Sequence, residues 1–376
     1  MQTRQALGIL CIGLALGCVE APAQSPPRTP GTPGDTEPFP QLVASLSEAG
    51  GYFDTDNLIS NETSYLHALS DLDVRGLTAS DNSGGAYLGV GPGQNFSYIA
   101  ALRPDVAIIV DIRRDNMLQH LLFKALFDLS PSRTDYVANL IGRRPPVGTA
   151  AEKAETIDDI LQAVDASSPL SESELSELRG KIQESIGSTG QPTSQEDLET
   201  IFRFHDEFRI EGLELRFRSH YRSPQPYYPS LRRLLVERDR EGRQRSFLAN
   251  QQDYEFLRSL QAGDRLIPIV GNLAGPSALV RVGQYLEAQG APVRAFYTSN
   301  VEFYLFQDGT FGRFVDNLRA LPLSGDGVLI RSYFNRFRAT HPATVPGYAS
   351  TQLVQSFDDF LTAVGEGVSY NELMFR

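Results

Sequence analysis

The strongest limit on the fold comes from an uninterrupted apolar run, Val106 to Val110. Such a run marks a strand covered on both faces, and strands of that kind belong to parallel sheets packed between helices. Just before it, Ala86-Tyr87-Leu88 leads into Gly89-Val90-Gly91-Pro92-Gly93, and Phe96 to Leu102 has helical spacing. Asp115 to Leu129 follows as a strongly apolar helix. This β-α-β-α order predicts an α/β fold with a doubly wound, mostly parallel sheet.

The pattern returns near the C-terminus. Leu266 to Val270 reads as a strand, Ser277 to Gln289 as a helix stopped by Gly290, and Val293 to Tyr297 as a further strand. Val328 to Ile330 is expected as a later strand and Gln352 to Val364 as a terminal helix. Residues 41 to 80 read as a helical N-terminal extension, with Asn61 capping its second helix. Ser246 to Leu248 is expected as a short strand before a helix from Asp253 to Leu260.

Between the two α/β stretches the composition shifts. Residues 143 to 200 read as a helical insertion, with Gly187 to Ser194 as a soft linker. Residues 151 to 200 hold twelve acids and three bases. A solvated helical segment accounts for them, and nothing clusters as a calcium loop would. Residues 201 to 245 carry eleven arginines and seven acids among interleaved aromatics. Those arginines are expected to pair with the acidic insertion or to cover the domain's edge. The whole chain carries a net charge of -12, which makes it a poor general binder of nucleic-acid backbones.

Residues 1 to 23 have the marks of a secretory signal: Arg4, an apolar run from Ala6 to Gly17, and Ala21-Pro22-Ala23 before Gln24. The expected outcome is export, periplasmic or secreted. Leu14 to Cys18 offers a lipobox-like alternative that would anchor the chain to a membrane through Cys18. Residues 24 to 40 are a proline- and glycine-rich linker, and residues 41 to 376 are read as one domain. Cys11 and Cys18 are the only cysteines, so the body holds no disulfide framework, zinc knuckle or cysteine nucleophile.

The chemistry centres on the glycine turn. Glycine lets a backbone approach a ligand closely, and a helix start presents free N–H groups to a phosphate or carboxylate. Asp111 closes the next strand, where a nucleotide-binding α/β fold places an acid for ribose hydroxyls. The dinucleotide fingerprint is not met, because Gln94 stands at the third glycine's position, and no Walker pattern occurs. G-x-G-x-G with a downstream acid is the looser pattern of class I S-adenosylmethionine-dependent methyltransferases. A glycine turn with Asp111 serving only to cap the next helix remains the alternative.

Three stretches carry a more specific resemblance: YLGVGPGQNFSYIAALRPDVAIIVDIRRDNMLQHLLFKALFDLS, RLIPIVGNLAGPSALVRVGQYLEAQGAPVRAFYTSNVEFYLF and LIRS. In order, they resemble an uncharacterised bacterial family with a class I methyltransferase-like, Rossmann-like fold, and they span about a quarter of the chain. The resemblance implies that fold and no established activity. Where relatives carry an acid after the glycine of a VVGD-type motif, this chain has Asn272, a carboxamide in place of the acid.

Gly89, Gly91, Gly93 and Asp111 are therefore the expected cofactor-binding residues, with S-adenosylmethionine or a related nucleoside as ligand. Asn272, Asn300 and Glu302 are weak catalytic candidates on the acceptor side. Ordinary capping by Asn300, with Glu302 in the first helical turn, is the competing account. Arg113 and Arg331 could hold an anionic substrate, or be plain ion pairs. His120 reads as a core histidine, and His205-Asp206-Glu207 is weak evidence for a metal, so no metal is expected. The absence of G-x-S-x-G disfavours an α/β-hydrolase. Adenosylmethionine is made in the cytosol, so export favours a second reading, a non-catalytic binding protein on a degenerate methyltransferase fold. Asp111→Ala is expected to abolish nucleoside binding and leave folding intact.

Overall fold

The computed structural model describes residues 37–79, 83–146, 155–335 and 340–376. The segments read as signal and lipobox lie outside the described residues, as does most of the linker. Among the described residues, no helix is long and apolar enough to cross a membrane.

Six strands form one sheet: β1 (Ala86–Gly89), β2 (Val106–Asp111), β3 (Leu266–Val270), β4 (Val293–Ser299), β5 (Leu323–Phe334) and β6 (Ser350–Ser356). Their spatial order is β3-β2-β1-β4-β5-β6. The first five run parallel, and β6 is antiparallel to β5. The protein is thus an α/β fold with a mostly parallel sheet. Every residue of β1 and β3, and Val106 to Val110 of β2, is buried, because helices cover both faces. Pro268 is tolerated within β3 because β3 is an edge strand, where a missing N–H breaks no ladder bond.

Helices follow the strands as expected. Asn95–Leu102 follows β1, Arg114–Leu129 follows β2, and Ala278–Gln289 follows β3. Gly290 takes φ +63° and ends the last of these. The crossover from β2 to β3 holds the insertion, with helices Ile157–Ala166, Glu172–Ser188 and Gln195–Glu211. Each begins with a capping box: Thr156 with Asp159, Ser171 with Glu174, and Ser194 with Asp197. Part of the acidic excess thus starts helices. Few of the downstream arginines reach it: Arg232 pairs with Asp165, whereas Arg240 meets Asp71, and Arg243 and Arg245 meet Asp73.

Several expectations fail locally. The Glu172–Ser188 helix runs through Gly187, so the soft linker begins only at Thr189. Ser246 to Leu248 forms turns, not a strand. Phe39–Leu46 is already helical, which shortens the linker; Pro40 fits because first-turn N–H groups have no helical acceptor. The supposed terminal helix divides: Gln352 to Ser356 belongs to β6, and the helix starts at Phe357. Gln352 is pulled into the sheet by a buried hydrogen bond to Glu62, which local periodicity does not reveal. The second N-terminal helix spans His67–Val74 and is preceded by Leu66, so Asn61 does not cap it.

Gly283 shows how tightly the layers meet. A Cβ there would stand 2.4 Å from the carbonyl oxygen of Ala320. In an open helix, Gly→Ala would stabilise by about 1 kcal/mol. Here Gly283→Ala is expected to destabilise by about 1–3 kcal/mol, through overpacking against backbone. Urea unfolding of the two proteins gives the sign.

Candidate ligand-binding site

In this strand order the chain reverses direction across the sheet between β1 and β4. The helices after these strands therefore leave a crevice at their carboxyl ends, where α/β proteins hold ligands. A cavity of about 280 Å³ lies there. Gly91, Asp111, Asn272 and Asn300, supplied by the ends of β1 to β4, all line it. Sequence reasoning placed these four together.

The other three proposed residues stand elsewhere. Gly89 packs behind the turn, because a Cβ there would lie 1.9 Å from Asn95 Oδ1. Gly93 faces Phe96 and Phe123 and lines a separate apolar cavity of about 60 Å³. Glu302 is a correction. It is 2% exposed, and both its oxygens accept from Arg331, at 2.8 Å from Nε and 2.6 Å from Nη2. A carboxylate locked in a buried bidentate pair is no general base for a ligand in the cavity. The same pair removes Arg331 as an anchor for an anionic substrate.

The turn itself is rigid. Gly91 adopts φ +79°, which glycine alone takes without strain. Asn95 donates to the carbonyls of Val90 and Pro92 at 2.9 and 2.7 Å. His120 Nε2 lies 2.9 Å from Gly91 O, and since a carbonyl only accepts, Nε2 carries the proton. Burial pushes the His120 pKa down to about 4, against the Gly91 hydrogen bond and the Asp111 charge, so the ring is neutral at pH 7. His120 is a core residue that holds the turn. With the carbonyls drawn inward, the N–H groups of Gly91, Gly93 and Gln94 have no partner among the described residues. They are the candidate donors of the glycine turn, and Gly91 and Gln94 are the two of these residues that line the cavity.

Asp111 is held by Arg113. Its Oδ1 accepts from the Arg113 N–H at 2.9 Å and from Nε at 3.0 Å, and Oδ2 accepts from Nη2 at 2.8 Å. The Arg113 guanidinium also reaches the carbonyls of Thr55 and Asp56, both at 2.6 Å. A carboxylate offers about four acceptor positions, so about one remains, on Oδ2. Asp111 can thus take one further hydroxyl. Neither reading of Asp111 as a free ribose acid nor as a plain helix cap included this clamp, and Arg113 is not free for an anionic substrate.

Asn272 sits in a turn filled by the chain itself. Glu48 accepts from the N–H groups of Asn272, Ser277 and Ala278, at 3.0, 2.8 and 2.9 Å. Burial pushes its pKa up, but these donors and the Ser277 hydroxyl outweigh burial and hold it below the ordinary 4.5. The start of the Ala278–Gln289 helix therefore already has its anion. Asn300 precedes the Val301–Gln307 helix without a side-chain capping bond and lines the cavity, with its Oδ1 3.4 Å from the Ser299 hydroxyl.

Sequence reasoning missed Asn57, Asn61 and Ser299 as cavity residues. Asn57 and Ser299 have φ of +52° and +53°. The signal for Ser299 was available: Thr298-Ser299-Asn300 joins a buried strand to a helix. Phe53 and Tyr304 add an aromatic wall, edge to face at 5.0 Å. The side chains of the His205 cluster are engaged elsewhere: Asp206 pairs with Arg179 and Arg209, and Glu207 with Arg218. His205 is buried and bonds the Asn139 carbonyl, and no metal-binding group of three or more ligands occurs among the described residues.

Two outcomes follow for stability. Asp111→Ala leaves Arg113, only 8% exposed at its side chain, without its counter-ion. The cost is expected at about 3 kcal/mol, read as a lower denaturation midpoint, which replaces the expectation that folding stays intact. Glu48→Gln is expected to cost about 1–2 kcal/mol at pH 7. Because the folded pKa is lowered, that contribution is full above pH 4.5 and fades as pH falls through the folded value. Melting temperatures of variant and wild type should converge in acid.

No curated protein matches the chain. The model of a domain of unknown function, DUF7790, matches residues 59–372, which takes in the whole sheet and most of the cavity lining but not Tyr52, Phe53, Thr55 or Asn57, and the chain belongs to the DUF7790 family.

Proposed function

We propose that this domain binds a small nucleoside-type ligand, of which S-adenosylmethionine is the candidate, in the cavity between the ends of β1 and β4. The observation that carries the reading is the meeting of unpartnered Gly91 and Gln94 N–H groups with an acid that keeps one acceptor position. The aromatic wall of Phe53 and Tyr304 offers faces for a base. Carboxamides of Asn57, Asn272 and Asn300 offer donors and acceptors without net charge. A class I methyltransferase type is the finer form of this proposal. It rests on the G-x-G-x-G turn after β1 and the acid that ends β2.

The second reading is a binding protein that has kept the sheet and lost methyl transfer. Ion pairing favours it, since Asp111 and Glu302 are both engaged by arginine and neither is free to take a proton from an acceptor. Export through the N-terminal signal would favour it too, by separating the domain from cytosolic adenosylmethionine.

Thermal unfolding with adenosylmethionine or adenosylhomocysteine tests the proposal. Ligand at 100-fold over Kd stabilises by about 2.7 kcal/mol, an easily measured shift. Asn300→Ala is expected to fold normally and weaken the shift severalfold. Stabilisation without methyl transfer to any acceptor would favour the second reading, and no shift with either compound would end both nucleoside readings.

A further inference from the structure

Ser299 occupies a place that nucleoside binding does not explain. β4 ends at Ser299 and the Val301–Gln307 helix begins two residues later, so the serine sits on a sharp strand-to-helix joint. Its φ of +53° is one that non-glycine residues seldom take. Such conformations cost about 1 kcal/mol or more and persist only where surroundings enforce them. Here the enforcing contact is a hydrogen bond from the Ser299 hydroxyl to Glu62 Oε1. Ser299 is only partly buried and lines the cavity.

Glu62 is 0% exposed and forms no ion pair among the described residues. Its Oε2 accepts from the Tyr297 hydroxyl at 2.8 Å, the Ser332 hydroxyl at 2.5 Å and the Gln352 amide at 3.0 Å. Burial and the Glu62 charge push the Tyr297 phenol far up, which keeps it protonated as a donor. The arrangement has three parts: a serine at the cavity wall, a carboxylate that accepts from its hydroxyl, and groups that orient the carboxylate. An activated serine has these parts. The joint matches a nucleophile elbow in conformation, although the G-x-S-x-G letters are absent.

We propose that Ser299 is a nucleophile and Glu62 its general base, in acyl transfer from a small carboxylic ester of a polar, uncharged alcohol. Ser299 Oγ attacks the carbonyl carbon, and its proton passes to Glu62 Oε1 as the Oγ–C bond forms. The tetrahedral adduct collapses with cleavage of the C–O bond to the alcohol, and Glu62 returns the proton to the leaving oxygen. Esterification moves the Ser299 oxygen off Glu62 Oε1, so that water attacking the acyl-serine gives its proton to that uncovered oxygen, and release of the acid returns the proton to Ser299. The carbonyl oxygen's developing charge needs donors, and the Gly91 N–H and the Asn57 and Asn300 carboxamides line the same cavity. Those carboxamides also suit an uncharged alcohol. The proposal uses neither Asp111 nor adenosylmethionine, so it stands or falls apart from the nucleoside reading.

The test is covalent labelling of the purified chain by a fluorophosphonate, followed by intact mass and peptide mapping, with p-nitrophenyl acetate hydrolysis alongside. One adduct at Ser299 is expected. Ser299→Gly relieves the backbone strain, so it should fold while losing both labelling and hydrolysis. Glu62→Gln should label about 100-fold more slowly. No adduct on folded wild-type protein, an adduct at another residue, or undiminished hydrolysis by Ser299→Gly would overturn the proposal. So would an unchanged labelling rate in folded Glu62→Gln. If Glu62→Gln does not fold, the comparison of wild type with Ser299→Gly still decides.

Discussion

The structure depends on one constraint, the reversal of strand order between β1 and β4. Parallel strands need helical crossovers, and crossovers of one hand place successive helices on opposite faces once the order turns back. Two neighbouring strand ends are then left uncovered by their own helices. β1 and β4 are in register over Tyr87 to Gly89 and Ala295 to Tyr297. Whatever follows each strand must therefore face the other across a gap about one strand spacing wide. The glycine turn after β1 and the serine turn after β4 face each other for this reason. Their residues are 208 apart in sequence, counting from Gly91 to Ser299.

Much of this is legible in the sequence. Val106 to Val110 and Leu266 to Val270 are apolar runs with no polar face to mislead, and both strands lie where the runs do. Gly290 marked a helix end correctly because a left-handed residue there is cheapest as glycine. What sequence hides is long-range pairing. β6 has a polar sequence, Ser350 to Ser356, and becomes a strand because β5 offers an edge and Glu62 draws in Gln352. At the site, residue types at strand ends were readable, and so Gly91, Asp111, Asn272 and Asn300 were found together. Their partners were not. Arg113 folds back on Asp111 from two residues away, Arg331 reaches Glu302 from the adjacent strand, and Glu48 fills a turn 224 residues downstream.

Those hidden partners decide what the site can do. An acid read from sequence is a free group by default, yet a buried carboxylate rarely stays unpaired, because burial without compensation costs on the order of several kcal/mol. Asp111 meets that demand with an arginine and so loses most of its acceptor capacity. Glu302 meets it completely and leaves the site altogether. Both were plausible functional residues until their counter-ions were located.

Glu62 meets the same demand differently. Arg331 precedes Ser332 in β5, so a guanidinium is close in sequence, but Arg331 is committed to Glu302, and Ser332 turns its hydroxyl to Glu62. The result is a buried carboxylate satisfied by neutral donors. A guanidinium does not give up a proton within a protein, so an arginine partner fixes a carboxylate in place and ends its part in proton transfer. A hydroxyl can transfer its proton to the oxygen it bonds. Of the three carboxylates around the ends of β2 and β4, Asp111, Glu302 and Glu62, Glu62 alone is bonded to such a hydroxyl at the cavity wall, and that hydroxyl is held in a strained turn. The difference in counter-group separates acids that build the wall from the one placed to act through it.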